Sequence, residues 1–319
     1  MLPWIERLSR AFAMAGLMVM MAACGGSDDD PPARNIVEVA QSDPQFSVLV
    51  EAVVAADLAP TLSAAGPYTV FAPTNAAFTA LLAELNLTKA QLLADKALLT
   101  EVLTYHVLPA RVARSSVPAG KAISTVQGGI FKIDANGSAL LITDGRNRQS
   151  NITATDVAAS NGVIHVIDKV LLPPDKNVVQ TAQALAAAAS PEFTVLVDAV
   201  VAANLAGTLS GTGPFTVFAP TDAAFAALLT ELGVTKAQLL ADVPLLTQVL
   251  TYHVVPGRVL KAEVPLNTPI TTVQGGTFTV DATLAITDQR GRKANIVGTD
   301  VLASNGVIHV LDKVILLAP

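Results

Sequence analysis

The chain has 319 residues, room for two domains at roughly 100–200 residues each. Hydrophobic residues make up 51% and charged residues 14%, which excludes disorder as the main state. A net charge of −6 argues against a nucleic-acid partner, since phosphate recognition needs a basic face, and one cysteine excludes a disulfide framework or a cysteine-built metal cage.

The first element read along the chain is an export signal. Arg7 and Arg10 precede a thirteen-residue apolar run from Ala11 to Ala23. As a helix such a run rises about 20 Å, short of the roughly 30 Å hydrocarbon core, so it reads as a signal peptide over residues 1–23. Met21-Ala22-Ala23-Cys24 resembles a bacterial lipobox, with Met where Leu is usual. That resemblance implies a lipidated Cys24 as the mature N-terminus; an ordinary signal peptide with an incidental cysteine is the alternative. Loss of Glu6, Arg7 and Arg10 takes the net charge from −6 to −7. Residues 24–34, with Asp28-Asp29-Asp30-Pro31-Pro32, read as a hydrated tether. The aspartates lack the alternating ligands, central Gly and closing Glu of an EF-hand loop.

The remainder is one unit written twice. Phe46–Val112 and Phe193–Val259, offset by 147, agree at 50 of 67 positions. The offset starts at 142, rises to 147 in the Ala-rich stretch before Phe193, and falls to 144 near Asn136-Gly137-Ser138. Length changes confined to turns are what surface loops tolerate. The units span 35–172 and 177–317, joined by a short linker at 173–176. Within each, helical spacing covers Phe46–Ala56 and Phe193–Ala203, and Thr69-Val70-Phe71 predicts a short strand. Thr74 caps the next helix, and Thr88–Gln91 and Thr235–Gln238 form capping boxes. A further helix covers Leu98–Thr104, and strands follow at Ile130–Ile133, Leu140–Thr143 and Val163–Leu172. The expected class is α+β, with helices packed on an antiparallel sheet system.

Three stretches recur in each unit: TVFAPTNAAF at 69–78 and TVFAPTDAAF at 216–225; Tyr105-His106-Val107-Leu108-Pro109 and Tyr252-His253-Val254-Val255-Pro256; and NGVIHVIDKVLLP at 161–173 with NGVIHVLDKVILL at 305–317. In order and spacing these resemble the end motifs and central Tyr-His motif of the fasciclin domain family, over both repeats nearly end to end. The resemblance implies two tandem domains, each a β-sandwich-like wedge of two sheets with helices packed against it. It also implies adhesion or matrix binding without catalysis. In animal members the Tyr-His motif and an Asp-Ile pair are linked to adhesion. These fall on Tyr105-His106, Tyr252-His253, Asp156-Val157 and Asp300-Val301, with Val replacing Ile.

The chain's four histidines, His106, His165, His253 and His309, occupy matched places. They read as hydrogen-bonded core residues or as ligands for a metal or small molecule. Their apolar flanks favour the core, and no nearby carboxylate or cysteine completes a zinc set. The aspartates read as turn caps or as partner contacts. Arg146, Arg148, Arg290 and Arg292 sit at matched hairpin tips, either as solvated turn residues or as contacts for an acidic polysaccharide. No G-x-S-x-G, H-E-x-x-H, Walker loop or dinucleotide fingerprint is present. The expectation is a lipid-anchored bacterial envelope protein, not an enzyme. Its partner is a cell-surface protein or acidic matrix polysaccharide, met without metal or cofactor and touching membrane through its lipid alone. The alternative is an envelope module that captures a small ligand or metal through the histidine regions.

Overall fold

The computed structural model describes residues 33–190 and 192–318. The signal peptide, Cys24 and most of the tether lie outside the described residues. Local rules set the helices of the first repeat. Asn35 and Glu38 form a capping box that starts α1 (Ile36–Gln41). Next come α2 (Ser47–Ala55), α3 (Ala59–Ser63) and β1 (Tyr68–Pro73). Thr74 accepts from the Ala77 N–H to start α4 (Asn75–Leu85), which ends where Asn86 turns left-handed at φ 53°. The Thr88–Gln91 box starts α5 (Lys89–Ala94), and Asp95 caps α6 (Lys96–Tyr105). Strands β2 (Val107–Leu108), β3 (Ala122–Ser124), β4 (Ile130–Asn136), β5 (Ala139–Thr143), β6 (Gln149–Ala159) and β7 (Gly162–Ile167) complete it.

The second repeat follows the same order: α7 (Val178–Ala186), α8 (Thr194–Ala202), α9 (Ala206–Leu209), β8 (Phe215–Pro220), α10 (Asp222–Leu232), α11 (Lys236–Ala241) and α12 (Val243–Tyr252), then β9 (Val254–Pro256), β10 (Ile270–Thr271), β11 (Thr277–Val280), β12 (Ala285–Thr287), β13 (Lys293–Ala303) and β14 (Gly306–Leu311). The expected capping box at Thr235–Gln238 starts α11.

Each repeat carries seven strands in one hydrogen-bonded order, β2-β1-β7-β6-β5-β4-β3 in the first. Strand β6 pairs with β5 over 149–151 and with β7 from Ile152 onward, through two irregularities of register. It thus carries the ribbon from one half of the wedge to the other. The halves close on a core where Phe71 of β1 meets Phe131 of β4 edge-on at 5.1 Å. The helices cover the opposite face of β1 and β7 through Val70, Ala72, Ile164 and Val166. Strand β7, buried on both faces, is apolar nearly throughout.

Two expectations are corrected. The sheet is mixed, because β1 runs parallel to β7 and β8 parallel to β14. The strand expected over Val163–Leu172 stops at Ile167. Beyond it, the N–H groups of Leu171 and Leu172 go to side chains, His106 Nε2 at 2.9 Å and Asp144 Oδ2 at 2.9 Å.

The Asn-Gly of the last motif has a mechanical reason. Asn161 accepts from the Ile36 N–H and donates to the carbonyls of Leu62 and Ala64, pinning α1 and α3 to the sheet. Gly162 lies so close to β1 that a Cβ there would stand 2.2 Å from the Tyr68 oxygen. Asn305 and Gly306 repeat both features.

Residues 34–319 form one compact unit, so the repeats touch. Ile130 packs with Leu260, Leu302 and Val307. Lys132 Nζ reaches Asp300 Oδ2 at 3.0 Å, and the Asn147 amide donates to the Leu302 carbonyl at 3.0 Å and accepts from its N–H at 2.6 Å.

Candidate functional site

The Tyr-His motif sits where α6 runs into β2. His106 caps that helix: its Nδ1–H donates to the Val102 carbonyl at 2.7 Å, while Nε2 accepts from the Leu171 N–H at 2.9 Å. His253 makes the same pair of bonds with Val249 at 2.7 Å and Ile315 at 3.1 Å. Both rings are 2% exposed, and burial pulls each pKa down to about 4, so both are neutral. Tyr105 and Tyr252 donate their hydroxyls to the carbonyls of Ile130 and Thr277. Burial raises the Tyr105 pKa, and pushes that of Tyr252 up to about 12.

The other two histidines hold the Asp-Val pairs. His165 Nε2–H donates to the Val112 carbonyl at 2.9 Å, and its Nδ1 accepts from the Asp156 N–H at 3.2 Å. His309 does the same toward Val259 at 2.9 Å and Asp300 at 3.3 Å, and burial lowers its pKa. Asp156 and Asp300 stand at irregularities in β6 and β13 with φ of 61° and 62°, a left-handed conformation in which each N–H is turned toward its histidine. With both nitrogens of all four rings in hydrogen bonds to backbone, no ring lone pair is left for a metal.

The identical pairs have different surroundings. Asp156 and Val157 are exposed, Val157 to 37%. Asp156 Oδ1 accepts from the Arg114 N–H at 2.9 Å. Asp300 is 4% exposed, because the first repeat covers it. Its Oδ1 accepts from the Lys261 N–H at 2.7 Å and its Oδ2 meets Lys132. Val301 is half-buried.

The four arginines do occupy hairpin turns, and three of their guanidinium groups face carboxylates. Asp144, 1% exposed, accepts from the N–H groups of Arg146, Arg148 and Leu172 and so ties the turn to the end of its repeat. Arg148 lies over it and against Glu84 at 3.1 Å; Arg292 does the same with Asp288 and Glu231 at 3.3 Å. Arg146 Nε faces Asp175 at 3.4 Å, and Arg290 Nε donates to the Leu317 carbonyl at 2.6 Å. Three of the four side chains thus face carboxylates of the chain itself, and Arg290 a backbone carbonyl.

Lys132, Asn147, Leu260 and Leu302, which join the repeats, escaped the sequence reading. A signal for them does exist in the departures from identity. Their counterparts are Thr279, Gly291, Ala113 and Ala158.

Comparison with known proteins agrees with the motif pattern. The family model for the fasciclin domain matches residues 44–173 and again 191–317. The Synechocystis protein sll1483 is 45% identical over 146 residues, 44% of this chain and 75% of that protein. The transforming growth factor-beta-induced protein ig-h3 of Sus scrofa is 35% identical over 145 residues, 45% of this chain but 20% of that protein. Among solved structures, a domain pair from the insect cell adhesion molecule fasciclin I aligns with a TM-score of 0.43 at 19% identity, covering 88% of this chain and 95% of the other.

Proposed function

The chain belongs to the fasciclin domain family, and on that premise we propose that it is a non-enzymatic adhesion or matrix-binding protein of the bacterial envelope. Its contact is the Asp156-Val157 bulge of the first repeat, and its partner is a cell-surface protein. One observation carries this reading: of the two equivalent Asp-Val bulges, one is spent inside the molecule and the other faces solvent in the same left-handed form. The histidines support a role in scaffolding over proton transfer, since their ring nitrogens are engaged with backbone groups.

The test is adhesion of cells to surfaces coated with the protein. Asp156→Asn tolerates the left-handed backbone while removing charge, and Val157→Ser removes apolar contact. The double variant is expected to lower adhesion severalfold with an unchanged melting temperature. Wild-type adhesion by this variant would remove the bulge as the contact.

Envelope attachment rests on Cys24. Acyl chains supply about 0.8 kcal/mol per buried CH₂, and no helix among the described residues is long and apolar enough to cross a membrane. Cys24→Ser is therefore expected to move the protein from the membrane fraction to the soluble fraction. Unchanged fractionation would overturn the lipid anchor.

A further inference from the structure

The second repeat contains a cavity of about 210 Å³ between α10, α11, α12 and the stretch after β14. Its walls include Phe225, Leu228, Leu239, Leu246 and Leu316, and Arg290 is the charged residue on it. Leu232 and Leu245 on its rim are 41% and 37% exposed, so the cavity opens to solvent through apolar side chains.

The first repeat is built differently at the equivalent arginine. Arg146, the counterpart of Arg290, faces Asp175, whereas Arg290 meets no carboxylate within 4.0 Å among the described residues. The second repeat therefore keeps, on the wall of its cavity, a guanidinium that no carboxylate among the described residues holds.

A cation at the mouth of a narrow apolar cavity complements one kind of small molecule. An aliphatic tail gains from leaving water, and a carboxylate head takes the guanidinium in a charge-assisted pair. The volume is below the roughly 300–1,000 Å³ of sites for drug-sized molecules, which suits a slender chain of medium length. We propose that this cavity binds a medium-chain fatty-acid anion, with its tail among α10, α11 and α12 and its carboxylate on Arg290. Alkylammonium ions are repelled by the arginine, and neutral alcohols lose the ion pair.

Calorimetric titration of the full chain with decanoate, decanol and decylammonium tests this. One decanoate is expected per chain, with decanol bound about tenfold more weakly and decylammonium not detectably, one ion pair setting the difference. Arg290→Gln is exposed and leaves the fold intact; it is expected to lower decanoate affinity to that of decanol. Leu228→Trp fills the cavity and abolishes both, with a melting curve to check folding. Equal binding of decanoate and decanol by the wild type, or an Arg290→Gln variant with unchanged decanoate affinity, overturns the proposal. So does retention on phosphatidylglycerol vesicles without uptake of decanoate, which would make the rim a membrane contact.

Discussion

Replacing His106 or His253 with alanine is expected to destabilise its own repeat by about 3–5 kcal/mol. Each ring serves two buried backbone groups, the Val102 carbonyl and Leu171 N–H for His106 and their equivalents for His253. Truncation strands the N–H in each repeat and, in the first, the Val102 carbonyl as well (Val249 keeps the His253 N–H at 3.2 Å), and it opens a cavity beside them. Acid acts on the same groups. In the unfolded chain a histidine takes up its proton near pH 6.5, whereas in the folded protein burial holds these two at about 4. Between those values the unfolded state binds the extra protons, so stability falls as pH falls. The loss is about 2 kcal/mol per repeat between pH 7 and pH 5, where most carboxylates are still ionised. Asp144 opposes the trend, because burial raises its carboxyl and favours proton uptake by the folded state. Urea titrations at pH 7, 6 and 5 check this. A midpoint that stays fixed over that range would contradict neutral, buried histidines.

Lys132→Ala is expected to cost about 3 kcal/mol and to split one unfolding transition into two. Asp300 is 2% exposed at its side chain, and Lys132 is the cation that meets it. Burial works against the charge on Lys132, but its hydrogen bonds and ion pairs with Asp300 and Asp134 outweigh this, and its pKa is raised. Removing one partner of a buried pair strands the other, which is the costly case. Lys132 and Asp300 lie on different repeats, so the loss falls on their coupling. Scanning calorimetry reads both effects. A single transition at the wild-type temperature would show that the ion pair contributes nothing to the junction.

The junction also explains where the two repeats diverge. The first repeat donates Ile130, Lys132 and Asn147, replaced in the second by Thr277, Thr279 and Gly291. The second repeat receives them on Leu260 and Leu302, replaced in the first by Ala113 and Ala158. Each repeat thus carries only one half of the contact. If both carried both halves, further copies would add head to tail through the same heterologous contact.

Features that depend on neighbours along the chain are legible in the residues alone. Thr74 and the Thr88–Gln91 and Thr235–Gln238 boxes mark helix starts because a cap is made within one turn. The repeat, the strand segments and the family motifs are equally local in origin. The rest follows from the fold, because burial and hydrogen-bond partners come from distant segments. The parallel pairing of β1 with β7 joins residues about ninety positions apart, and His106 finds its acceptor role 65 residues away at Leu171. The arginine turns look free until the end of each repeat folds back over Asp144 and Asp288. Asp156-Val157 and Asp300-Val301 are the same two residues in sequence, and only the packing of one repeat on the other buries Asp300 and leaves Asp156 in water.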